Sequence, residues 1–193
     1  MEENKKYMFR DLRADEIECK IATVNGKGVS LLLYKTARTD MQILDETVGA
    51  FNWQCGYHEV KGNMYCEISI YDKEKNQWIT KEDCGVESAF GDKEKGEASD
   101  AFKRAGFKWG IGTELYTSPF IWIKAEDCNI MQNNNTFKCY DKFYVEAIQI
   151  IDKTITGLAI KNATKLKNAA HITAWNGVRT LVDTMVAIEL AAS

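Results

Sequence analysis

The apolar positions between residues 94 and 116 recur at the spacing of an α-helix. Within the stretch EKGEASDAFKRAGFKWGIGTELY, three- and four-residue steps connect Ala98, Ala101, Phe102, Ala105 and Trp109. Gly110 and Gly112 follow this stripe and predict the end of the helix. Because the small residues of the stripe let another backbone come close, we expect the helix to pack against a sheet.

The segment before this helix alternates as strands do. Residues 64–71 place Met64, Cys66, Ile68 and Ile70 on one face and Tyr65, Glu67, Ser69 and Tyr71 on the other. Further strands are predicted at 53–60 and 77–86, with turns at 61–63 and 72–76. The pattern predicts an antiparallel meander packed on the central helix, which is a β-β-β-α core of an α+β fold.

Weaker patterns flank this core on its amino-terminal side. Residues 11–23 have a weak helical pattern, and residues 29–34 are predicted as a strand. Thr39 and Asp40 are placed to cap a second helix, whose apolar stripe would be Met41, Leu44, Val48 and Phe51. The fold prediction therefore includes extra N-terminal helices.

The carboxyl-terminal part is predicted as a hairpin followed by a helix. Residues 127–136 are polar and predict an exposed loop, after a short strand at 119–123. Strands at 144–151 and 155–160 would pair, and residues 165–193 are predicted to be helical with a wide apolar face. We expect a core domain at 9–123 and an extension at 124–193, docked on the core or on a neighbouring subunit.

Composition limits the classes of protein to which the chain can belong. A length of 193 residues with 45% hydrophobic residues supports a real core, and the net charge of −3 gives no bulk attraction to nucleic acid, so polyanion binding would need a local patch. The six cysteines form no C-x-x-C pair, so we expect reduced, mostly buried thiols and no zinc site. The charged start and the lack of a long apolar run favour a cytoplasmic protein without a membrane span.

Two basic pairs are the candidate binding residues. Lys103 and Arg104 lie on the central helix, with Lys108 one turn later, and Lys35 and Arg38 precede the second predicted helix. Each pair has two interpretations. The residues are either ordinary surface charge, with Arg104 paired to Asp100 four residues earlier, or contacts to phosphate. Interleaved aromatic residues would suit base stacking or a core equally well: Phe107, Trp109, Tyr116 and Trp122.

The sequence gives little support for catalysis. No P-loop is present, and Gly110-Ile-Gly112 follows a helix and lacks the third glycine of a dinucleotide loop. A metal-dependent nuclease would need several acids around the sheet. The acids available for that role are Glu67, Asp72, Asp83 and Glu87. They fall in turns and on alternating faces, so we expect no catalytic residues and no cofactor.

The central stretch resembles the signature of the Rad fifty-two/Rad twenty-two single-strand annealing family in its short phage and bacterial form. The matching residues are Ser99, Asp100, Lys103, Arg104, Ala105, Trp109 and Gly110. Upstream, YKTARTDMQILDETVGAFNWQ is similar to that family's helix before a tryptophan strand, here at Trp53. The resemblance covers about residues 9–123. It departs from the eukaryotic members at Phe107, which stands where they have another arginine.

The resemblance implies a ring or helical filament of identical subunits that holds single-stranded DNA in a basic outer groove. It assigns backbone contacts to Lys103 and Arg104, and approximately to Arg38. On this basis we expect a strand-annealing protein of homologous recombination and double-strand break repair, phage-encoded and located in the cytoplasm of a bacterial host. The alternatives are a metal-dependent DNA nuclease and a non-catalytic oligomeric interaction module.

Overall fold

A computed structural model of the chain describes residues 9–86, 92–165 and 167–173. The contacts among these residues divide them into two compact units. The first unit contains residues 9–11 and 35–113, and the second contains 12–34 and the described residues from 114 onward. This division differs from the predicted boundary between residues 123 and 124, which stays a prediction.

The fold is mixed α+β, and every strand pair in the described part of the chain is antiparallel. In chain order, its elements are β1 (Glu18–Asn25), β2 (Gly28–Tyr34), α1 (Ala37–Val48), β3 (Trp53–Val60), β4 (Asn63–Asp72), β5 (Gln77–Cys84), α2 (Lys93–Lys108), β6 (Ile121–Lys124), β7 (Ile130–Asn133), β8 (Thr136–Cys139), β9 (Phe143–Ile151), β10 (Thr154–Asn162) and β11 (Lys167–Thr173). None of the helices among the described residues has the length and apolar character needed to span a membrane.

The predicted meander is present in the first unit, with strand order β3-β4-β5. Cys66, Ile68 and Ile70 of β4 are fully buried and share one face, as the alternation predicted. Gly56 lies opposite Glu67, and Glu67 lies opposite Glu82, so these three residues share the other face. The meander thus has one face in the core and one face available to solvent.

Helix α2 follows the meander and buries the predicted stripe. Ala101, Phe102 and Ala105 have no exposed surface. Asp92 caps the start by accepting the Lys95 N–H at 3.3 Å. The end is set at Gly110, whose φ of 91° belongs to the left-handed region. The polar residues of α2 are therefore held in a fixed position beside β4 and β5.

Helix α1 differs from its prediction in both start and buried face. It starts at Ala37, because Thr36 rather than Thr39 supplies the cap and accepts the Thr39 N–H at 3.4 Å. Its buried residues are Thr39, Asp40, Ile43 and Leu44. The predicted stripe through Met41 and Phe51 is wrong, and Phe51 is 98% exposed. The helix is turned so that a carboxylate faces inward, which the hydrophobic pattern alone does not indicate.

The inward carboxylate is Asp40, and its partner is Lys35. Asp40 is 0% exposed and Lys35 is 2% exposed. The Lys35 ammonium donates to Asp40 Oδ2 and also lies 3.4 Å from the Lys103 carbonyl of α2. It sits 4.2 Å from the centre of the Phe107 ring. A Cβ built on Gly106 would lie 2.5 Å from Asp40 Oδ2, so the glycine makes room for the ion pair between α1 and α2.

The second unit contains a six-stranded sheet of order β11-β10-β9-β1-β2-β6 and a separate β7-β8 hairpin. Its buried residues include Val29, Leu31, Ile121, Ile123 and Ile160. The predicted hairpin near the carboxyl terminus is confirmed as β9 and β10, which pair from Phe143 to Asn162.

Three predictions for this unit are corrected. The helix predicted at 11–23 is wrong, because Ala14–Glu16 forms a single 3-10 turn and residues 18–23 belong to β1, which pairs with β2 and in which Cys19 and Ile21 alternate with exposed neighbours. The loop predicted at 127–136 contains β7 and the start of β8, with a tight turn at Asn134. The helix predicted at 165–193 is wrong for residues 167–173, which form β11, and residues 174–193 lie outside the described residues.

The six cysteines are all free, but they are less buried than predicted. Cys66 and Cys128 are buried, whereas Cys55 is exposed. Loss of hydration raises the pKa of the Cys66 thiol to about 12, and burial does the same for Cys128. These two thiols therefore stay protonated at neutral pH and behave as small apolar side chains.

The buried ion pair generates a stability prediction. We expect Lys35→Met to lower the free energy of unfolding at pH 7 by about 3 to 5 kcal/mol, because it leaves a buried carboxylate without its cation. Adding Asp40→Asn removes that charge, and we expect the double variant to recover at least half of the loss. Urea unfolding of the wild type, both single variants and the double variant measures the coupling. Strictly additive losses would contradict an energetically coupled pair.

Candidate nucleic-acid interface

Three predicted contact residues lie together on α2, outside its buried stripe. The side chain of Lys103 is 25% exposed, that of Arg104 is 43% exposed and that of Lys108 is 51% exposed. Arg104 and Lys108 are separated by one helical turn, which is about 6 Å along the axis. The cations therefore form a short row along one side of the helix.

Each cation of this row has a carboxylate nearby, at a distance longer than that of a hydrogen bond. Lys103 Nζ lies 3.6 Å from Asp100 Oδ1. Asp83 of β5 serves the other two, with 3.7 Å from Arg104 Nε to Oδ1 and 3.7 Å from Lys108 Nζ to Oδ2. The surface pair predicted between Arg104 and Asp100 is thus replaced by one between Lys103 and Asp100.

These ion pairs hold the cations loosely. Separations near 3.7 Å exceed the usual range for a hydrogen bond. The Nε atom of Arg104 is buried and has no hydrogen-bond partner among the described residues. Partly exposed ion pairs of this kind contribute about 0 to 1 kcal/mol. An anion that approached the row would therefore displace weak partners rather than a rigid network.

Lys35 and Arg38, the second predicted basic pair, do not form a joint basic surface. The role predicted for Lys35 is corrected, because its ammonium is buried against Asp40 and does not reach the surface. Arg38 is exposed in the first turn of α1. The unpaired N–H groups of a helix start favour anions, so Arg38 stands at the electropositive end of α1.

The start of α1 and the middle of α2 are electrostatically linked through Asp40. Burial raises the pKa of the Asp40 carboxyl to about 6, and the charges of Lys35 and then Lys103 oppose that increase. The Lys35 ammonium that pairs with Asp40 also lies 3.4 Å from the Lys103 carbonyl, so the start of α1 and the middle of α2 are adjacent. Arg38 and Lys103 thus belong to one region of the first unit.

Two aromatic residues at the end of α2, which the sequence offers as candidates for base stacking, have structural contacts. Trp109 is half-buried and donates from Nε1 to the Ile68 carbonyl at 3.0 Å. Phe107 is also half-buried and covers Lys35. In the second unit, Tyr116 is 72% exposed, and Trp122 stacks on Phe120 with ring centres 6.2 Å apart. Tyr116 is thus the most exposed member of the predicted set.

Lys81 is a basic residue of this region that sequence reasoning missed. Its ammonium donates to the Lys108 carbonyl at 2.8 Å and lies 4.5 Å from the centre of the Trp109 ring. The residue is exposed on β5. Its position depends on the packing of β5 against the end of α2, and no local pattern indicates that packing. Lys81 adds a further cation at the end of the row.

The three described acids among the nuclease candidates, Glu67, Asp72 and Asp83, do not converge on one site. Asp72 is buried and accepts the N–H groups of Glu74 and Lys75. Asp83 is on the α2 face of the sheet, whereas Glu67 is on the opposite face, beside Glu82. Glu87 lies outside the described residues. Sequence reasoning did not find the grouping of His58 with Glu67 and Glu82, because it depends on the register of three strands.

No protein-family model, curated protein or solved structure matches this chain. The resemblance of residues 9–123 to the single-strand annealing family therefore stays a prediction from the sequence.

The buried carboxyl of Asp40 generates a pH prediction. Because its pKa in the folded chain is raised to about 6, its contribution to stability is full below about pH 4 and is lost as the pH rises through 6. We expect the carboxyl carbon signal of Asp40 in NMR to titrate with a midpoint near 6, and Asp40→Asn identifies the signal by removing it. A midpoint below 4 would contradict the dominance of burial over the charge of Lys35.

Proposed function

We propose that this chain binds single-stranded DNA and anneals complementary strands, as a phage-encoded protein of homologous recombination and double-strand break repair. The observation that carries the proposal is the row of partly exposed, loosely paired cations on α2: Lys103, Arg104 and Lys108. Lys103 and Arg104 also carry the resemblance to the annealing family, so sequence and geometry support one surface.

The chemistry of annealing requires backbone contacts and free base edges. Cations in a row neutralise phosphates without reading sequence, which leaves the bases available for pairing. Arg104 and Lys108 are about 6 Å apart along the axis of α2, so each can approach a phosphate of the same strand.

Arg38 and the start of α1 would extend this contact surface. Arg38 is exposed in the first turn of α1. Asp40, also in α1, lies near Lys103 of α2. In this proposal Lys35 binds no phosphate. It is a positioning residue that holds the beginning of α1 against α2 by bridging Asp40 and the Lys103 carbonyl.

An oligomer would supply the affinity that one subunit lacks. The chain has a net charge of −3, so a single row of cations works against its overall charge. Repeating the row around a ring or along a filament of identical subunits multiplies a weak contact. In the three-stranded sheet, β3 and β5 are edge strands that suit contacts between subunits. Annealing by this route needs no catalytic group and no cofactor.

The proposal predicts a specific change in salt dependence. We expect wild-type chain to bind a fluorescent single-stranded oligonucleotide with an affinity that falls as salt rises. Lys103→Ala/Arg104→Ala should weaken binding and reduce the slope of log affinity against log salt by about 1 to 1.5 per subunit, because two phosphate contacts are lost. The matched control is Lys73→Ala/Lys75→Ala, which removes two exposed cations from the β4–β5 turn.

Three outcomes would contradict the proposal. Equal slopes for both double variants would show that the α2 row is not the contact surface. Absence of binding at low salt by the folded wild type would favour an interaction module. Loss of substrate that requires magnesium would favour a nuclease.

A further inference from the structure

Three potential metal ligands converge on the face of the meander that is directed away from the core. They come from adjacent strands: His58 from β3, Glu67 from β4 and Glu82 from β5. One ligand atom from each residue lies within 4.8 Å of the others. His58 Nε2 is 3.3 Å from Glu82 Oε2. Ligands of one metal ion at about 2.1 Å from it are about 3 to 4 Å apart, so small side-chain rotations would complete the site.

A glycine notch shapes the space in which Glu67 lies. Gly56 of β3 is directly opposite Glu67 in the strand register. A Cβ at position 56 would lie 2.7 Å from Glu67 Oε1, closer than a side chain allows. The carboxylate therefore leans over β3, towards the strand that carries His58.

Among the residues that the structure describes, no lysine or arginine forms an ion pair with Glu67 or Glu82. Glu67 and Glu82 are directly opposite each other on neighbouring strands, an arrangement that destabilises a sheet when both are ionised. Glu82 contacts His58, and that contact is an ion pair only when the imidazole is protonated. A divalent cation would compensate both carboxylates and accept the neutral imidazole.

The imidazole is also held in orientation by its neighbours. His58 stacks on Tyr65, with ring centres 5.8 Å apart and an angle of 22° between the planes. A fixed ring plane lowers the entropic cost of ligation, as supporting contacts do in other metal sites. The ligand set of one imidazole and two carboxylates suits first-row divalent ions and leaves positions for water.

We propose that His58, Glu67 and Glu82 form a binding site for a first-row divalent metal ion such as Mn²⁺. The site is on the opposite face of the meander from Asp83, the partner of the α2 cations, and the proposal does not depend on DNA binding. The Gly56 notch and the uncompensated pair of carboxylates distinguish the group from scattered surface acids.

The test uses Mn²⁺ alone with the full chain, after removal of metals by a chelator. Mn²⁺ is chosen because it prefers oxygen and imidazole ligands, so the free cysteines do not compete strongly. Electron paramagnetic resonance measures the loss of free Mn²⁺ as it binds. We expect one saturable site per chain, with affinity reduced at least about tenfold in Glu67→Gln and in His58→Ala. The matched control is Glu59→Gln, next to His58 in sequence but on the other face of β3.

Gly56→Ala provides a separate readout, since it keeps all three ligands and fills the notch. We expect it to weaken Mn²⁺ binding while circular dichroism remains that of the wild type. Absence of saturable binding by the wild type would overturn the proposal. Equal affinity in Glu67→Gln, His58→Ala and the Glu59→Gln control would also overturn it, because the bound ion would then be elsewhere.

Discussion

The buried ion pair between Lys35 and Asp40 is the interaction on which the first unit depends. Two charges are almost fully removed from water, and that removal is tolerated only while each compensates the other. The pair sits in the space left by Gly106 and reaches the Lys103 carbonyl, so one ammonium fixes α1, α2 and the segment before α1 together. The position of the first turn of α1 relative to the middle of α2 follows from this arrangement.

The two faces of the meander acquire different chemistry as a consequence. One face packs Cys66, Ile68 and Ile70 against the helices and carries Asp83, which sits among the cations of α2. The other face carries His58, Glu67 and Glu82. Because side chains alternate along a strand, a single register of β3, β4 and β5 sets both groups. The proposed polyanion surface and the proposed cation site therefore share no residue.

The spacing of apolar residues predicted the elements that bury one regular face. The alternation of β4, the stripe of α2 and the β9–β10 hairpin were all readable from it. Prediction failed where long-range partners decide the outcome. Asp40 faces inward because Lys35 compensates it, and β1 is a strand because β2 pairs with it, although its own pattern is weakly helical. The sequence indicated the cations of α2, but the pairing of Arg104 and Lys108 with Asp83 depends on the packing of β5 against α2.

Annealing of complementary strands is the proposed activity that connects the cation row, the proposed oligomer and the family resemblance. The most direct measurement is the rate at which two complementary oligonucleotides, one with a donor dye and one with an acceptor dye, form duplex in the presence of the full chain. The account predicts a rate well above that of the free strands, with a maximum when the chain just covers the DNA and a decline at high salt. A rate equal to that of the free strands, from a folded chain that binds single-stranded DNA, would contradict it.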